Sequence, residues 1–335
     1  NRLHNLGMKL VNVPAYYEAA KKNIKNPTVE HTQLAIEQNL GGISVFENDL
    51  VNALKESKLP VGEKTEISTR SKLAVDAIKS YVEFLKSLKN DSPRSFRLGN
   101  DLYKKKFEFD IQSGYTADEV LAKAIAHKTE LHQKMAEISV KLWPKYFAGQ
   151  DMPKDSLQMI RQMIDKLSLI HVQPDSFQSA IEKQIPILVD FIKEKNLIYI
   201  DPSKPLVVRK EPDYMAGVAG ASISAPGPYD KTGNTYYNVG SLSGWDKDRA
   251  ESYLREYNQY ILQILNIHEA IPGHYTQLVY ANQSPSLIKS LLGASSMIEG
   301  WAVYTERMML EEGYGNNEPE MWLMYYKWNL RSTCN

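Results

Sequence analysis

Two observations on this 335-residue chain predict a mainly α-helical fold with a small antiparallel β-sheet. Apolar residues recur at three- and four-residue spacing through most of residues 1–198 and again from residue 246 onward, which is the period of an amphipathic helix. Between residues 201 and 244 this period disappears, and glycine, proline, serine and tyrosine become frequent. We therefore expect a large helical protein in which a small sheet precedes the last helical segment.

Clusters of turn-forming residues divide the first helical segment. They lie at residues 25–27, 58–63, 90–93, 113–116 and 147–153. Thr116 and Glu119 have the spacing of a capping box, in which the side chain of each residue bonds the backbone N–H of the other. This pair predicts the beginning of a long helix that continues to Leu142.

Three short strands are predicted in the glycine- and tyrosine-rich segment, at residues 206–209, 219–223 and 234–239. The first and third are rich in β-branched or aromatic residues, which strands favour. The change of pattern divides the chain into a helical part, 1–200, and a second part, 201–335, with the sheet and the helices that carry the candidate site. We expect these parts to form one continuous unit that is truncated at both ends.

The composition excludes several classes of protein. Lys and Arg together number 40, as do Asp and Glu, so no overall charge attracts nucleic acid, and we expect no nucleic-acid partner. The single cysteine excludes an internal disulfide framework. No apolar run reaches the roughly 18 residues that a transmembrane helix requires, so no transmembrane segment is expected.

The most informative stretch is residues 266–275, Asn-Ile-His-Glu-Ala-Ile-Pro-Gly-His-Tyr. It contains two histidines, His268 and His274, and a carboxylate, Glu269, directly after the first histidine. Imidazoles are common zinc ligands, and a carboxylate beside a metal-bound water can act as a general base. The stretch therefore predicts a metal site with Glu269 as the catalytic base.

The six-residue spacing of the histidines requires a distorted helix. On a regular helix the two side chains would diverge by about 240°. However, Pro272 has no N–H to bond the carbonyl of His268, and its ring crowds that carbonyl, while Gly273 tolerates unusual backbone angles. We therefore expect the helix to unwind or bulge between His268 and His274, which would bring the two rings together.

Two carboxylates on a later helix complete the predicted site. Glu299 and Glu306 are seven residues apart, which is about two turns, so they lie on one face of a helix. We expect Glu299 to be the third metal ligand and Glu306 to hold a ligand histidine through its other ring nitrogen. In an alternative interpretation, Ser296 and Glu299 form a capping box, and Glu299 only closes a helix end.

Two further groups, a pair of tyrosines and a second pair of histidines, have residue types that occur in binding sites. On the third predicted strand, Tyr236 and Tyr237 face opposite sides, so one of them is expected to face the site and bind substrate. The edge of this strand could also pair with an extended peptide. His127 and His132 diverge by about 140° on a helix and have lysines around them, so we interpret them as part of a solvated face.

The chain resembles the bacterial family called domain of unknown function 885. That family is marked by His-Glu-Ala-x-Pro-Gly-His, which stands here at residues 268–274, and by Glu-Gly-Trp-Ala-x-Tyr-x-Glu, which stands at residues 299–306. The resemblance implies a large helical fold similar to that of zinc peptidases, and export to the periplasm or lipid anchoring. Many members of the family have a second histidine where this chain has Tyr275.

The leading hypothesis is therefore a zinc-dependent metallopeptidase that cleaves a peptide or small amide substrate. His268, His274 and Glu299 would hold Zn²⁺, and Glu269 would take a proton from the attacking water. An alternative from another class is a non-catalytic helical binding protein that keeps a degenerate form of the motif. A third hypothesis keeps the metal and replaces the peptide with a non-peptide amide or ester.

Overall fold

The structure is a computed structural model that describes residues 2–89, 92–215, 220–230 and 232–335. It is mainly α-helical with one small sheet, which confirms the predicted fold class. The helices are α1 (Arg2–Leu10), α2 (Val13–Asn23), α3 (Val29–Ser44), α4 (Leu50–Glu56), α5 (Val61–Ser87), α6 (Asn100–Ile111), α7 (Ala117–Tyr146), α8 (Ser156–Leu167), α9 (Phe177–Lys195), α10 (Lys247–Glu256), α11 (Gln259–Glu269), α12 (His274–Asn282), α13 (Leu287–Leu291), α14 (Ser295–Glu311) and α15 (Pro319–Cys334), and the strands are β1 (Leu206–Lys210), β2 (Ala221–Ser224) and β3 (Thr235–Val239).

The predicted capping box at the beginning of α7 is confirmed. The Thr116 hydroxyl accepts from the backbone N–H of Glu119 at 3.3 Å, and the Glu119 carboxylate accepts from the backbone N–H of Thr116 at 2.7 Å. Each bond satisfies an N–H that has no partner within the helix. The helix continues one turn beyond the predicted end, to Tyr146. Of the predicted break at 90–93, residues 90 and 91 lie outside the described part.

The sheet is mixed rather than antiparallel, which corrects the prediction. Its strand order is β1-β3-β2; β1 is parallel to β3, with Leu206 opposite Thr235, and β2 is antiparallel to β3, with Ala221 opposite Val239. Only a short hairpin connection forces neighbouring strands to be antiparallel, and a long stretch of chain separates β1 from β3. The predicted strand 219–223 is observed as β2, and Ala219 lies outside the described residues.

The position of β3 also corrects the expected mode of substrate binding. Because β3 is the central strand, its backbone N–H and C=O groups bond to β1 on one side and to β2 on the other. A strand can pair with an added peptide only at a free edge. The expectation that a peptide pairs with the strand of Tyr236 is therefore wrong.

The chain groups into two compact units. One unit comprises Asn1–Gly99 and Glu211–Gly220, and its core is formed mainly by α1, α4 and α5. The other comprises Asn100–Lys210 and Ala221–Asn335, and its core surrounds α11. The expected division into parts 1–200 and 201–335 of one continuous unit stays a prediction. Among the described residues, no helix has both the length and the apolar character that a membrane crossing needs.

An ion pair near the N-terminus of α15 links this helix to the end of α7. The Glu320 carboxylate is 3% exposed and accepts from Lys145 Nζ at 2.5 Å and from the Tyr146 hydroxyl at 2.8 Å. Burial raises the pKa of Glu320, but the hydrogen bonds from Lys145 and Tyr146, together with the charge of Lys145, lower it by more. The pKa of Glu320 therefore lies below its usual range in the folded protein.

We expect Glu320→Gln to lower the free energy of unfolding by about 1–3 kcal/mol at pH 7. A lowered pKa in the folded state stabilises the fold above the unfolded pKa, and this contribution is lost as the pH falls through the folded pKa. The difference from the wild type should therefore shrink below about pH 4. Urea denaturation at pH 7 and at pH 3.5–4 measures it, with the exposed Glu318→Gln as the control. If the difference in the free energy of unfolding does not change with pH, the pKa of Glu320 is not lowered in the folded protein.

Candidate metal centre

The helix that carries the motif is interrupted between the two histidines, as the sequence predicts. Helix α11 ends at Glu269 and α12 begins at His274, and residues 270–273 are not helical. The peptide bond between Ile271 and Pro272 is cis. Because residues 270–273 are not helical, the chain leaves the helical path between the histidines, which a regular helix would hold about 240° apart.

Gly273 is required by the close approach of the backbone in this turn. Its N–H donates to the carbonyl oxygen of Ile267 at 3.0 Å. A Cβ atom at residue 273 would lie 1.8 Å from the carbonyl oxygen of His268 and 2.4 Å from that of Ile267. Neither oxygen can move without distorting the end of α11, so only glycine fits here.

We expect Gly273→Ala to destabilise the protein by at least about 3 kcal/mol, because the clash is with backbone atoms rather than with a flexible side chain. The matched control is Gly300→Ala in α14, where a Cβ meets no atom within 4 Å. That control should be neutral or stabilise by up to about 1 kcal/mol, because alanine favours a helix interior. Thermal denaturation of both variants measures the contrast, and equal melting temperatures would refute it.

The interrupted helix brings the two imidazoles and Glu299 together. The ring centroids of His268 and His274 are 4.7 Å apart, with the planes at 88°. Glu299 Oε2 lies 3.9 Å from His268 Nε2 and 3.6 Å from His274 Nε2. One ligand atom from each of the three residues lies within 4.8 Å of the others, so the structure assembles the predicted ligand set into one group.

Glu299 does not close a helix end. Helix α14 begins at Ser295 with Ala294 as the N-cap, and no side-chain cap is formed. The hydroxyl of Ser296 instead donates to the carbonyl oxygen of Ile111 at 3.3 Å. The capping-box interpretation of Ser296 and Glu299 is therefore wrong, and the Glu299 side chain is 66% exposed beside the histidines.

This group fits a tetrahedral zinc ion in donor type and in separation. Zinc prefers imidazole nitrogen and carboxylate oxygen at about 2.0–2.2 Å, which places tetrahedral ligand atoms about 3.3–3.6 Å apart. The observed separations, which are within 4.8 Å, exceed this range by at most about 1.2 Å, which side-chain rotations can remove. Since the Glu299 side chain is exposed, it is free to make such a rotation.

Glu306 orients His268 from the buried side. Its Oε1 accepts from His268 Nδ1 at 2.6 Å, and the carboxylate residue is only 1% exposed. The same oxygen accepts from the indole N–H of Trp328 in α15 at 2.9 Å. A hydrogen bond at Nδ1 fixes the tautomer of the ring and directs the lone pair of Nε2 toward Glu299. The hydrogen bond to His268 is thus present, and the role of Glu306 in holding a metal ligand stays a prediction.

The two histidines differ in proton affinity. Burial lowers the pKa of His268, but the hydrogen bond to Glu306 and the charges of Glu306, Glu269 and Glu299 outweigh it, so the pKa is raised. Burial lowers the pKa of His274, and the nearby His268 lowers it further. Among the described residues, His274 Nδ1 has no hydrogen-bond partner. His274 therefore binds a proton less strongly than His268 does.

Glu269 has the electrostatic character of a general base. Burial raises its pKa to about 7, the charge of His268 opposes that shift, and the charges of Glu299 and Glu306 add to it. A base is most effective when its pKa lies near the working pH. The end of α11 therefore carries, directly after His268, a carboxylate whose raised pKa suits proton transfer near neutral pH.

Hydrogen bonds of three side chains, Asn266, Trp301 and Trp328, hold the motif in position and were not predicted from the sequence. Asn266 Oδ1 accepts from the buried Tyr237 hydroxyl at 2.9 Å, and its amide donates to Gln184 of α9 at 2.6 Å. The indole N–H of Trp301 donates to the carbonyl oxygen of Pro272 at 2.9 Å. Trp328 is the third contact, through Glu306. These bonds join residues that are distant in the chain, so the sequence alone does not indicate them.

The two tyrosines proposed for substrate binding lie in different environments. Tyr237 is fully buried and bonds Asn266, so its position is under the motif helix. The ring of Tyr236 lies under the guanidinium of Arg209, 3.9 Å from the ring centroid. A role for either tyrosine in substrate binding stays a prediction. The buried Tyr275 donates to the carbonyl oxygen of Lys204, so the ligand group forms without a histidine at position 275.

The second histidine cluster takes part in helix packing. His127 lies 3.2 Å from Glu130 through Nδ1 and 2.7 Å from the Asn329 amide oxygen through Nε2. Its side chain is 43% exposed, as expected for a partly solvated face. The contact with Asn329 of α15 was not predicted.

The fold and the site together define a mainly α-helical protein with a group of two histidines and a glutamate that can hold a metal ion. The chain belongs to the family described as "Bacterial protein of unknown function (DUF885)", which matches residues 1–335. No curated protein matches it.

The solved structures that are similar to the chain include two putative lipoproteins. One is of a "putative lipoprotein of unknown function from Shewanella oneidensis", at 57% identity and a TM-score of 0.73, over 99% of this chain and 60% of that one. The other is of a "putative lipoprotein from Colwellia psychrerythraea", at 17% identity and a TM-score of 0.68, over 94% of this chain and 54% of that one. The second likeness concerns the fold alone. The chain thus spans little more than half the length of these relatives.

Proposed function

We propose that this protein is a zinc-dependent hydrolase that cleaves peptide bonds. The single observation that carries the proposal is the convergence of His268, His274 and Glu299 within 4.8 Å of one another. These are donor types that zinc prefers, and three protein ligands leave the open position that a catalytic zinc site needs. The buried Glu269 directly follows one of the ligands, which adds a base to the ligand set.

Each residue has a distinct part in this proposal. His268, His274 and Glu299 would hold the ion, which when bound supplies a Lewis acid that acidifies water and polarises a carbonyl. Glu306 fixes the orientation of His268, and Trp328 fixes Glu306. The inner residues are buried and the Glu299 side is exposed, so a substrate would approach from the side of Glu299.

Glu269 would transfer the proton in this reaction. With a pKa of about 7, its carboxylate can take a proton from the attacking water and then donate it to the leaving amine. An ordinary exposed glutamate, with a pKa of about 4.3, would be a weaker base in the first transfer.

The proposal is tested by zinc content and by cleavage of a mixed peptide library with the full chain. After mild dialysis, elemental analysis should give about one zinc per chain, and mass spectrometry should detect cleaved peptides that disappear when a chelator is added. A chain without stoichiometric zinc would support the non-catalytic binding protein instead. Stoichiometric zinc with hydrolysis of simple esters or amides, but no peptide cleavage, would show that the substrate is not a peptide.

We also propose that the protein works outside the cytoplasm, either exported or lipid-anchored. The support is that the two similar structures from Shewanella oneidensis and Colwellia psychrerythraea are described as putative lipoproteins. Fractionation of cells that express the complete protein, followed by immunodetection, tests this proposal. Recovery in the cytoplasmic fraction would contradict it.

A further inference from the structure

The three-stranded sheet has one apolar face and one polar face. Side chains alternate between the two faces along each strand. Tyr237 lies on the apolar face, where its hydroxyl bonds Asn266 of α11, and Val239 packs into the core on the same face. Tyr236 and Asn238 of the same strand therefore lie on the other face, which is turned away from the motif helix.

The fully buried Asn238 joins three polar side chains of the two edge strands. In the strand register, Arg209 of β1 and Ser222 of β2 both lie opposite Asn238. The amide oxygen of Asn238 accepts from Arg209 Nε at 2.7 Å. Its amide nitrogen donates to the hydroxyl oxygen of Ser222 at 3.2 Å and to that of Ser224 at 2.8 Å. One amide group thus holds a guanidinium and two hydroxyls around a single small area of the sheet.

Arg209 is fixed in orientation but has no acidic partner among the described residues. Its guanidinium lies over the ring of Tyr236, and this stacking, together with the bond from Nε, fixes the guanidinium plane. A guanidinium has five N–H donors, and only the one on Nε is used here. The side chain is partly buried, and its two terminal nitrogens bond to no residue that the structure describes. The planar end of Arg209 is therefore available to a ligand.

The two serines add further donors to the same area. Ser222 and Ser224 accept bonds from the Asn238 amide, and neither hydroxyl donates its own proton to a described residue. Both residues keep some contact with solvent, as Arg209 does. Donors without an acceptor are costly in a partly buried place, and an oxyanion supplies acceptors alone. The unused groups therefore favour a negatively charged ligand.

We propose that Arg209, Ser222 and Ser224 form a binding site for an oxyanion, the carboxylate or phosphate group of a small molecule. A guanidinium whose plane is fixed bonds two oxygens of such a group at once. The hydroxyl protons of the serines supply further bonds to the same oxygens. Because this face of the sheet is turned away from α11, the site is separate from the candidate metal centre and does not depend on the proposed hydrolase function.

The experiment measures the binding of inorganic phosphate and of acetate to the full chain by calorimetry. Saturable binding of one anion per chain is expected. Tighter binding of phosphate would identify the ligand group as a phosphate, and tighter binding of acetate would identify it as a carboxylate. If neither anion binds saturably, the proposal is wrong.

Two adjacent residues of β1 offer a matched pair of variants for this measurement. Arg209→Gln should weaken anion binding by at least about 10-fold, because charge-assisted hydrogen bonds are lost. Arg209→Lys should weaken it as well, since lysine keeps the charge but cannot bond two oxygens with a planar fork. Lys210→Gln also removes one positive charge, but its side chain faces the other side of the strand, so binding should be retained. Equal affinities of Arg209→Gln and Lys210→Gln would refute the assignment.

Two further variants test the site without removing any of its proposed donors. Asn238→Asp replaces the central amide with a carboxylate that pairs with Arg209, so it should compete with the anion and weaken its binding at least 10-fold. Melting temperatures of all variants show whether each one folds. His274→Ala alters the candidate metal centre and should bind the anion like the wild type. If His274→Ala loses the binding, the anion occupies the metal centre and the proposal fails.

Discussion

The substitution Glu269→Gln is expected to reduce peptide turnover by about 10²- to 10⁴-fold while the protein retains its zinc. The amide has nearly the same shape as the carboxylate but cannot take a proton from water. Glu269 is not one of the three grouped donor residues, so its replacement should leave the metal in place. The variant thus removes the base and keeps the rest of the site.

Two measurements together test this expectation. Elemental analysis should give the same zinc content for Glu269→Gln as for the wild type, and kcat for a cleaved peptide should fall. Glu311→Gln is the control, because Glu311 lies on α14 with Glu299 but forms an exposed pair with Arg307 instead of contributing to the site. Unchanged turnover in Glu269→Gln would remove this residue as the base.

The local features of the site could be predicted from the sequence because they depend on residues close together in the chain. Pro272 cannot donate the helical hydrogen bond and Gly273 permits a close backbone approach, so the interruption of the helix follows from their chemistry. Similarly, the seven-residue spacing of Glu299 and Glu306 places them on one face of any regular helix. The structure shows both features.

The same local reasoning missed the break that starts the motif helix. The apolar stripe from residue 250 to residue 268 indicates continuous helix, yet α10 ends at Glu256 and α11 begins at Gln259. Asn258 accepts from the backbone N–H groups of Tyr260 and Ile261, which is the action of an N-cap. Asn258 could have indicated the beginning of a new helix, but the apolar residues on both sides have the period of one continuous helix.

Contacts between distant parts of the chain could not be predicted. Trp328 is 22 residues from Glu306 and lies on another helix, and Gln184 is 82 residues from Asn266. Nothing in the spacing of these residues shows that their side chains meet. The parallel pairing of β1 with β3 has the same origin, because it depends on the route of the long connection rather than on the pattern of either strand.

A substitution of one proposed ligand, His274→Ala, is expected to lower zinc affinity by more than about 100-fold. Changing a residue that only orients a ligand typically costs 10- to 100-fold, and the loss of a ligand itself should cost more. Glu306→Gln should therefore lie between the wild type and His274→Ala. His127→Ala, which removes a half-exposed histidine on α7, should bind zinc like the wild type.

Thermal denaturation with and without zinc gives a second measurement of the same ligand. The His274 side chain is only 12% exposed, so its removal should also lower the stability of the metal-free protein, and the measurement therefore compares the stability that each protein gains from zinc. Zinc at 100 times its dissociation constant should stabilise the wild type by about 2.7 kcal/mol, and the same concentration should stabilise His274→Ala by much less. If the variant gains as much stability from zinc as the wild type does, His274 is not a ligand and the ion, if bound, lies elsewhere.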